Sequence, residues 1–120
     1  MHITDPTRVA PVASAHGETV YELLGRAAGA RHSVAYVTIP PGKASLRHYH
    51  PEAEESYYIL QGEARMLLGE EEASLSAGQI VYVPPLQPHR IVSTGTADLV
   101  FLAICAPAWE PGNSVFLEGQ

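Results

Sequence analysis

Cysteine is almost missing from this chain of 120 residues, since Cys105 is the only one. A single thiol cannot form an intramolecular disulfide, so the sequence excludes a small secreted scaffold that is held together by cross-links. Cys105 lies within the apolar run LVFLAICAP, and we expect a buried, unreactive thiol rather than a nucleophile.

Basic residues are scarce as well, with 7 Lys and Arg against 13 Asp and Glu and a net charge of -6. The few cations are scattered along the chain. Nucleic-acid-binding modules carry clustered basic patches, so we expect no nucleic-acid partner.

Long hydrophobic runs are also lacking, because no window approaches the roughly 20 apolar residues that a membrane span requires. The N-terminal stretch has no basic start followed by an apolar segment, so it does not resemble a secretory signal. We therefore expect a cytoplasmic protein without a membrane partner. A hydrophobic content of 46% with 17% charged residues is typical of one compact domain.

Glycine and proline, 10 of each, punctuate the chain at short intervals. The runs between them are rich in Val, Ile, Tyr and Leu, which at this spacing predicts an all-β sandwich or barrel. Because Gly69 interrupts ARMLLGEEEASL, we expect a hairpin there rather than a helix. Residues 1–18 lack periodicity and are interpreted as an extended arm or tail before a barrel domain over 19–120. The predicted strands are TVYELLG, SVAYVTIP, SLRHYH, ESYYILQG, EARMLLG, EASLSAG, QIVYVP, HRIVST and DLVFLAICAP.

The stretch RHYHPEAEESYYILQG, residues 47–62, carries the clearest chemical signal. Alternate residues of a strand share a face, so His48 and His50 are expected side by side. Pro51 ends that strand, and a carboxylate at the start of the next strand can return to the same ion. A third imidazole, His89, follows the proline-rich turn VPPLQP. Three imidazoles and a carboxylate suit Mn, Fe, Co, Ni, Cu or Zn. Against this, a His-x-His pair on an exposed strand often has no function, and the sequence does not show that His89 folds back onto the pair.

The spacing of these residues resembles the first motif of the cupins. Gly42 is followed by five residues, His48, Tyr49 and His50, four residues, Glu55, six residues and Gly62, and every gap agrees. Glu54 also fits the shorter gap after His50, but only Glu55 leaves six residues before Gly62. The resemblance therefore implies Glu55 as the carboxylate ligand.

The second cupin motif is matched less completely. Gly78, Pro84 and His89 are in register, whereas Leu86 replaces a glycine and Ser93 an asparagine. Leucine disfavours positive φ, so we expect the loop before His89 to differ in shape from the usual one.

The resemblance implies a single-domain jelly-roll β-barrel that binds a divalent transition metal through His48, His50, Glu55 and His89. It also implies a small-molecule ligand or substrate and a homodimer. The family includes dioxygenases, isomerases, lyases and binding proteins, and the fold does not choose among them. We expect a metal-dependent enzyme acting on a small oxygenated compound, with dioxygenase chemistry favoured over isomerase or lyase chemistry. The alternative is a non-catalytic module that binds a sugar or an organic acid.

Several further residues have competing interpretations. Tyr57 is expected on the same face of its strand as Glu55. It is either a core residue or a general acid, and it is the only catalytic candidate apart from the expected metal ligands. Trp109 either covers the barrel mouth or packs at a subunit contact. Surface positions are expected for Arg65 and Arg90, for the acidic run 70–72, and for His2, His16 and His32.

Overall fold

The structure, a computed structural model, describes residues 1–117 and is built almost entirely from short antiparallel strands. A 3₁₀ turn over Arg26–Ala28 interrupts the run of strands. Among the described residues, no helix is long and apolar enough to cross a membrane. The strands are β1 (Val12–Ala13), β2 (Thr19–Leu24), β3 (Ser33–Ile39), β4 (His48–Tyr49), β5 (Glu54–Gln61), β6 (Glu63–Leu68), β7 (Glu71–Ser76), β8 (Ile80–Val83), β9 (His89–Ser93), β10 (Leu99–Ala106) and β11 (Val115–Phe116).

Two sheets face each other across the core. The six-stranded sheet has the order β1-β2-β3-β10-β5-β8, and the five-stranded sheet has the order β11-β4-β9-β6-β7. Neighbours in each sheet are antiparallel, and several lie far apart in sequence, as β10 between β3 and β5 shows. The prediction of an all-β jelly-roll barrel is confirmed.

The core lies between the inner faces of the two sheets. Alternation in β5 buries Tyr57 and Ile59 while Tyr58 and Leu60 face outward, as the period of two requires. Each fully buried Ile, Leu or Phe side chain contributes about 1.5–3 kcal/mol relative to exposure. The buried hydrophobic cluster comprises Val37, Ile39, Tyr57, Ile59, Ala64, Met66, Val83, Ile91, Leu99 and Phe101.

Most predicted strands agree with the structure to within a residue or two. The predicted hairpin is present, with β6 and β7 paired from Leu68 and Glu71 outward and Gly69 at φ 59 in the turn. The predicted strand SLRHYH is the main exception, because only His48 and Tyr49 remain in ladder geometry. Instead, the Ser45 N–H donates to the Ile91 carbonyl at 3.0 Å, and the Ser45 hydroxyl accepts from the Ile91 N–H at 3.1 Å.

Both ends of the described chain add strands that the sequence pattern did not indicate. Residues 1–18, interpreted above as an arm or tail, include β1, which pairs with β2 through Val12 and Val20. At the other end, β11 pairs with β4 through Val115–Tyr49 and Phe116–His48. The second pairing lays the C-terminal segment along the strand that carries His48.

Candidate metal centre

Four side chains from three separate segments converge between the two sheets. His48 lies in β4 and His50 just beyond it, Glu55 is in β5, and His89 opens β9. Each offers one ligand atom, and these atoms all lie within 4.8 Å of one another. His50, Glu55 and His89 are buried and His48 is half-buried. The structure therefore brings together the four residues that the resemblance names, on ladders in which His48 directly opposes His89.

Backbone carbonyls fix the orientation of two imidazoles. His48 Nδ1 donates to the Leu46 carbonyl at 2.8 Å, and His89 Nδ1 donates to the Gln87 carbonyl at 3.0 Å. A carbonyl only accepts, so the proton of each neutral ring lies on Nδ1 and the lone pair on Nε2. This arrangement is typical of metal-binding histidines, because it presents Nε2 to an ion.

The third imidazole is held by the C-terminal segment. His50 Nδ1 lies 3.0 Å from the Asn113 backbone carbonyl and 2.9 Å from its side-chain Oδ1, with the Ser114 hydroxyl 3.3 Å away. Both Asn113 oxygens accept from Nδ1, so Nε2 of His50 also turns toward Glu55. Sequence reasoning missed Asn113 because it lies 63 residues from His50 and follows no periodic pattern. The only feature of the sequence that could have indicated this contact is the polar pair Asn113-Ser114 after Pro111-Gly112.

The Glu55 carboxylate sits at the centre of the group. Its Oε1 lies 3.2 Å from Nε2 of His50 and 3.2 Å from Nε2 of His89. Because both rings already donate through Nδ1, a neutral Nε2 would aim a lone pair at a carboxylate oxygen. A cation between these atoms, or a proton on each ring, removes that repulsion. The donor set and its orientation therefore fit a divalent metal.

The pKa values follow from this crowding. Burial opposes ionisation of Glu55, but hydrogen bonds and charge from His50 and His89 outweigh it and lower its pKa to about 2. Burial likewise opposes charging of His50, but the partnership with Glu55 raises its pKa. Burial, helped by the charge of His89, lowers the pKa of His48 to about 4. Near neutral pH, Glu55 is therefore an anion and His48 a neutral donor.

The loop before His89 corrects one expectation. Leu86 was expected to avoid positive φ, yet it has φ 72. Its N–H donates to the His50 carbonyl at 2.8 Å, and its side chain is 62% exposed, so the Cβ meets solvent rather than the barrel wall. A left-handed residue other than glycine costs roughly 1–2 kcal/mol, which this hydrogen bond helps to offset. The loop therefore keeps a glycine-like shape and ties the His89 turn to His50.

The two adjacent glutamates point in opposite directions. Glu54 is exposed, and its Oε1 accepts a hydrogen bond from the Tyr82 hydroxyl at 2.9 Å. Glu55 is buried at the centre of the four-residue group. Of the two, only Glu55 faces the three imidazoles, as strand alternation requires.

Tyr57 lies one pleat deeper than Glu55 on the same inner face. Its ring centroid is 4.6 Å from that of Phe101 and 6.0 Å from that of His89. Burial, followed by the negative charge of Glu55, raises the pKa of Tyr57 well above its usual value. The phenol is therefore a neutral hydrogen-bond donor beside the ligands, while it also packs in the core.

The remaining sequence candidates do not belong to the four-residue cluster. His2 and His32 are exposed as expected, whereas His16 is half-buried. The Arg65 guanidinium forms an ion pair with Glu72 at 3.2 Å on the β6–β7 hairpin. The backbone N–H of Trp109 donates to the Ser33 hydroxyl at 2.9 Å. A contact that the sequence did not indicate comes from β11, where the Phe116 ring centroid lies 5.6 Å from that of His48.

Comparison with known proteins supplies an independent line of support. A family model described as "Cupin domain" matches residues 35–105. An uncharacterised protein of Methanocaldococcus jannaschii is 32% identical over 117 residues, which cover 96% of this chain and 94% of that protein. A glucose-6-phosphate isomerase of Thermococcus gammatolerans is 48% identical over 83 residues, or 58% of this chain and 44% of the enzyme. An oxalate-binding protein of Thermotoga maritima is 34% identical over 70 residues, which cover 58% of each chain. This chain thus spans less than half the length of the isomerase.

Solved structures share the fold over most of the chain. A predicted oxalate decarboxylase from Thermotoga maritima superposes with a TM-score of 0.80 at 25% identity, covering 88% of this chain and 98% of that one. An oxalate decarboxylase of Bacillus subtilis, studied for its Mn(II) centres, superposes with a TM-score of 0.80 at 28% identity over 93% of this chain and 31% of its own.

Proposed function

Because this chain belongs to the cupin family, we propose that it is a metal-dependent enzyme acting on a small, oxygen-rich organic compound. The observation that carries the proposal is the convergence of the ligand atoms of His48, His50, Glu55 and His89 within 4.8 Å between the sheets. Surface histidines and acids meet by chance, but here carbonyl acceptors turn all three rings inward.

The charge of the site supports substrate binding at the ion rather than a purely structural role. Three neutral imidazoles and one carboxylate leave a net charge of +1 with a divalent ion, which favours an anionic or oxygen-rich ligand. Four protein ligands leave positions open on a six-coordinate ion, as catalytic sites require. Mn, Fe, Co, Ni, Cu and Zn all suit this donor set, and the Mn(II) centres of the Bacillus subtilis relative support manganese first. When bound, such an ion polarises a ligand oxygen and stabilises negative charge on it.

Redox-neutral chemistry is the subtype that the relatives support. The Thermococcus gammatolerans relative is a glucose-6-phosphate isomerase, and it is 48% identical to this chain over 83 residues. Dioxygenase chemistry, which the sequence alone favours, remains a prediction, since none of the relatives named above is a dioxygenase. We therefore place isomerisation of a hydroxylated carbonyl compound ahead of oxygenation.

Residues of this chain would position and protonate such a substrate. Tyr57 is buried, neutral and adjacent to His89, so its hydroxyl can donate to an oxygen that gains negative charge. Phe116 packs beside His48 and adds an apolar contact on that side of the site. Asn113 holds the His50 ring and thereby fixes one side of the site.

A non-catalytic binding module is the second candidate, because the Thermotoga maritima relative is an oxalate-binding protein. A binder would use the same ion for affinity alone. Retention of a small acid through purification, with no turnover of any sugar phosphate, acid or phenol offered, would favour this alternative.

Two variants test the ligand assignment. His50→Ala is expected to lose bound transition metal by elemental analysis, whereas His32→Ala, an exposed histidine outside the site, should keep it. Metal-loaded protein is then assayed for isomerisation of glucose 6-phosphate, for carbon dioxide release from oxalate, and for oxygen uptake with catechols. Full metal content in His50→Ala would refute the site, and oxygen uptake alone would restore the dioxygenase prediction.

We also propose that the protein is a homodimer formed through the outer face of the six-stranded sheet. Tyr58, Leu60, Ile80 and Tyr82 are each exposed by more than a third on β5 and β8. Tyr58 opposes Ile80 across the ladder, so the side chains form one continuous apolar patch. Light scattering should give twice the mass of 12.9 kDa. Ile80→Lys should give a monomer, whereas Val12→Lys, at an exposed site on β1, should not; a monomeric wild-type protein would refute the proposal.

A further inference from the structure

A buried hydroxyl without a partner marks a second polar position inside the barrel. Ser93 is 1% exposed, and among the described residues its Oγ has no hydrogen-bond partner. It lies on the same face of β9 as His89 and Ile91, since these alternate residues are the buried ones. The hydroxyl therefore points toward the interior, on the face that carries a metal ligand. An unpaired buried hydroxyl is destabilising, so it requires an explanation.

A carboxylate that the ligand set does not use faces the same interior. Glu18 is half-buried and lies two residues before Val20, which packs against the core. Glu18 precedes β2, but the Ser14 N–H donates to its carbonyl at 2.8 Å, which continues the β1–β2 pairing and places the Glu18 and Val20 side chains on one face. Within residues 1–117, the Glu18 carboxylate has no hydrogen-bond or ion-pair partner. Burial, followed by the negative charge of Glu55, raises its pKa.

Two contacts connect these groups. The Ser93 N–H donates to the Lys43 carbonyl at 2.9 Å, and Gly17 packs so closely that an added Cβ would lie 2.7 Å from Lys43 Cβ. The segments that carry Ser93 and Glu18 therefore meet at Lys43. Tyr57 connects the interior to the metal ligands, because it follows Glu55 on the inner face of β5 and its ring centroid lies 6.0 Å from that of His89.

We propose that Glu18, Ser93 and Tyr57 form a polar subsite inside the barrel that binds hydroxyl groups of a polyhydroxylated substrate. The inference rests on the proposed function, because the metal centre would hold the oxygen-bearing end of that substrate. A substrate hydroxyl can donate to Glu18 and accept from Ser93 or Tyr57, which gives partners to the Glu18 carboxylate and the Ser93 hydroxyl. A second carboxylate would meet Glu18 with no basic side chain among these three residues to offset it. The subsite therefore selects a sugar derivative or hydroxy acid over a plain dicarboxylate.

Matched probes test the subsite by calorimetry on manganese-loaded protein. L-Tartrate and succinate are both four-carbon dicarboxylates, and only tartrate carries hydroxyls. Wild-type protein should bind tartrate and glucose 6-phosphate more tightly than succinate. Ser93→Ala and Glu18→Gln should each weaken tartrate and glucose 6-phosphate binding about 3- to 10-fold. Ser93→Ala should leave succinate binding unchanged, and Glu18→Gln should not weaken it, because the change removes the repulsion between Glu18 and a second carboxylate. Ser56→Ala and Glu71→Gln, at positions outside the barrel interior, serve as controls.

The variants also separate a ligand site from a structural contact. Because the Ser93 hydroxyl has no partner in the described part of the chain, Ser93→Ala should not lower the melting temperature, whereas loss of a structural hydrogen bond would lower it. Unchanged tartrate and glucose 6-phosphate affinity in both variants, or no preference of the wild type over succinate, would mean that the position holds only water and would overturn the subsite. Failure to bind manganese, measured first, would instead overturn the proposed function.

Discussion

Asn113 is the most informative position for testing how the candidate centre is built. The change Asn113→Ala removes the Oδ1 atom that lies 2.9 Å from His50 Nδ1 but leaves the backbone carbonyl at 3.0 Å. Loss of an acceptor behind a metal-bound histidine typically weakens metal binding 10- to 100-fold, or about 1.4–2.7 kcal/mol. Because one acceptor remains, we expect the lower end of that range, about tenfold.

The assay is a titration with Mn(II), followed by electron paramagnetic resonance of the free ion. Asn113→Asp keeps an acceptor and adds negative charge, so it should bind Mn(II) at least as tightly as the wild type. Gln79→Ala is the matched amide control, because its Oε1 accepts from the Ser76 N–H at 2.9 Å in a turn between β7 and β8. If Asn113→Ala binds Mn(II) as tightly as the wild type, the Asn113 side chain does not support His50. The same conclusion follows if Asn113→Asp loses as much Mn(II) affinity as Asn113→Ala.

Three further predictions follow from the same geometry. The pKa of His48 falls from 6.5 to about 4 on folding, so the metal-free protein should lose stability as pH falls through that window. In urea titrations, the free energy of unfolding of His48→Gln should depend less on pH than that of the wild type. An equal pH dependence in the two proteins would contradict the reasoning. Leu86→Gly should raise the free energy of unfolding by about 1 kcal/mol by relieving φ 72, whereas Leu86→Ala should not; equal values would mean that no strain is stored. Burial raises the pKa of Cys105 to about 11, so its thiol should react with a disulfide reagent at pH 8 only after unfolding, and rapid labelling of the native protein would exclude a buried thiol.

The strand pattern predicted the all-β fold, and the resemblance to the two cupin motifs named the four converging residues. Alternating apolar residues between glycines and prolines define most strands, because the period of two is local. The same locality explains the His48 and His50 pair, whereas the choice of Glu55 over Glu54 came from the spacing of the first cupin motif.

Long-range contacts could not be predicted in the same way. Asn113 reaches His50 across 63 residues, and the two-residue strand β11 forms only because β4 is there to receive it. Leu86 shows the opposite failure, since a sound local preference against positive φ was overridden by a hydrogen bond to His50. The roles of Glu18 and Ser93 likewise depend on the folding of their segments against Lys43, which no spacing in the sequence encodes.

The ligand set draws on both layers of the barrel, because Glu55 belongs to the six-stranded sheet while His48 and His89 belong to the five-stranded one. An ion held by all four side chains would link the two sheets to each other. Since only the folded chain brings the four side chains together, an ion at a thousand times its dissociation constant adds about 4 kcal/mol to the free energy of unfolding. The lifetime of the protein in a cell would then depend on the local concentration of transition metal. When the metal is scarce, the metal-free protein would be degraded faster as well as being inactive.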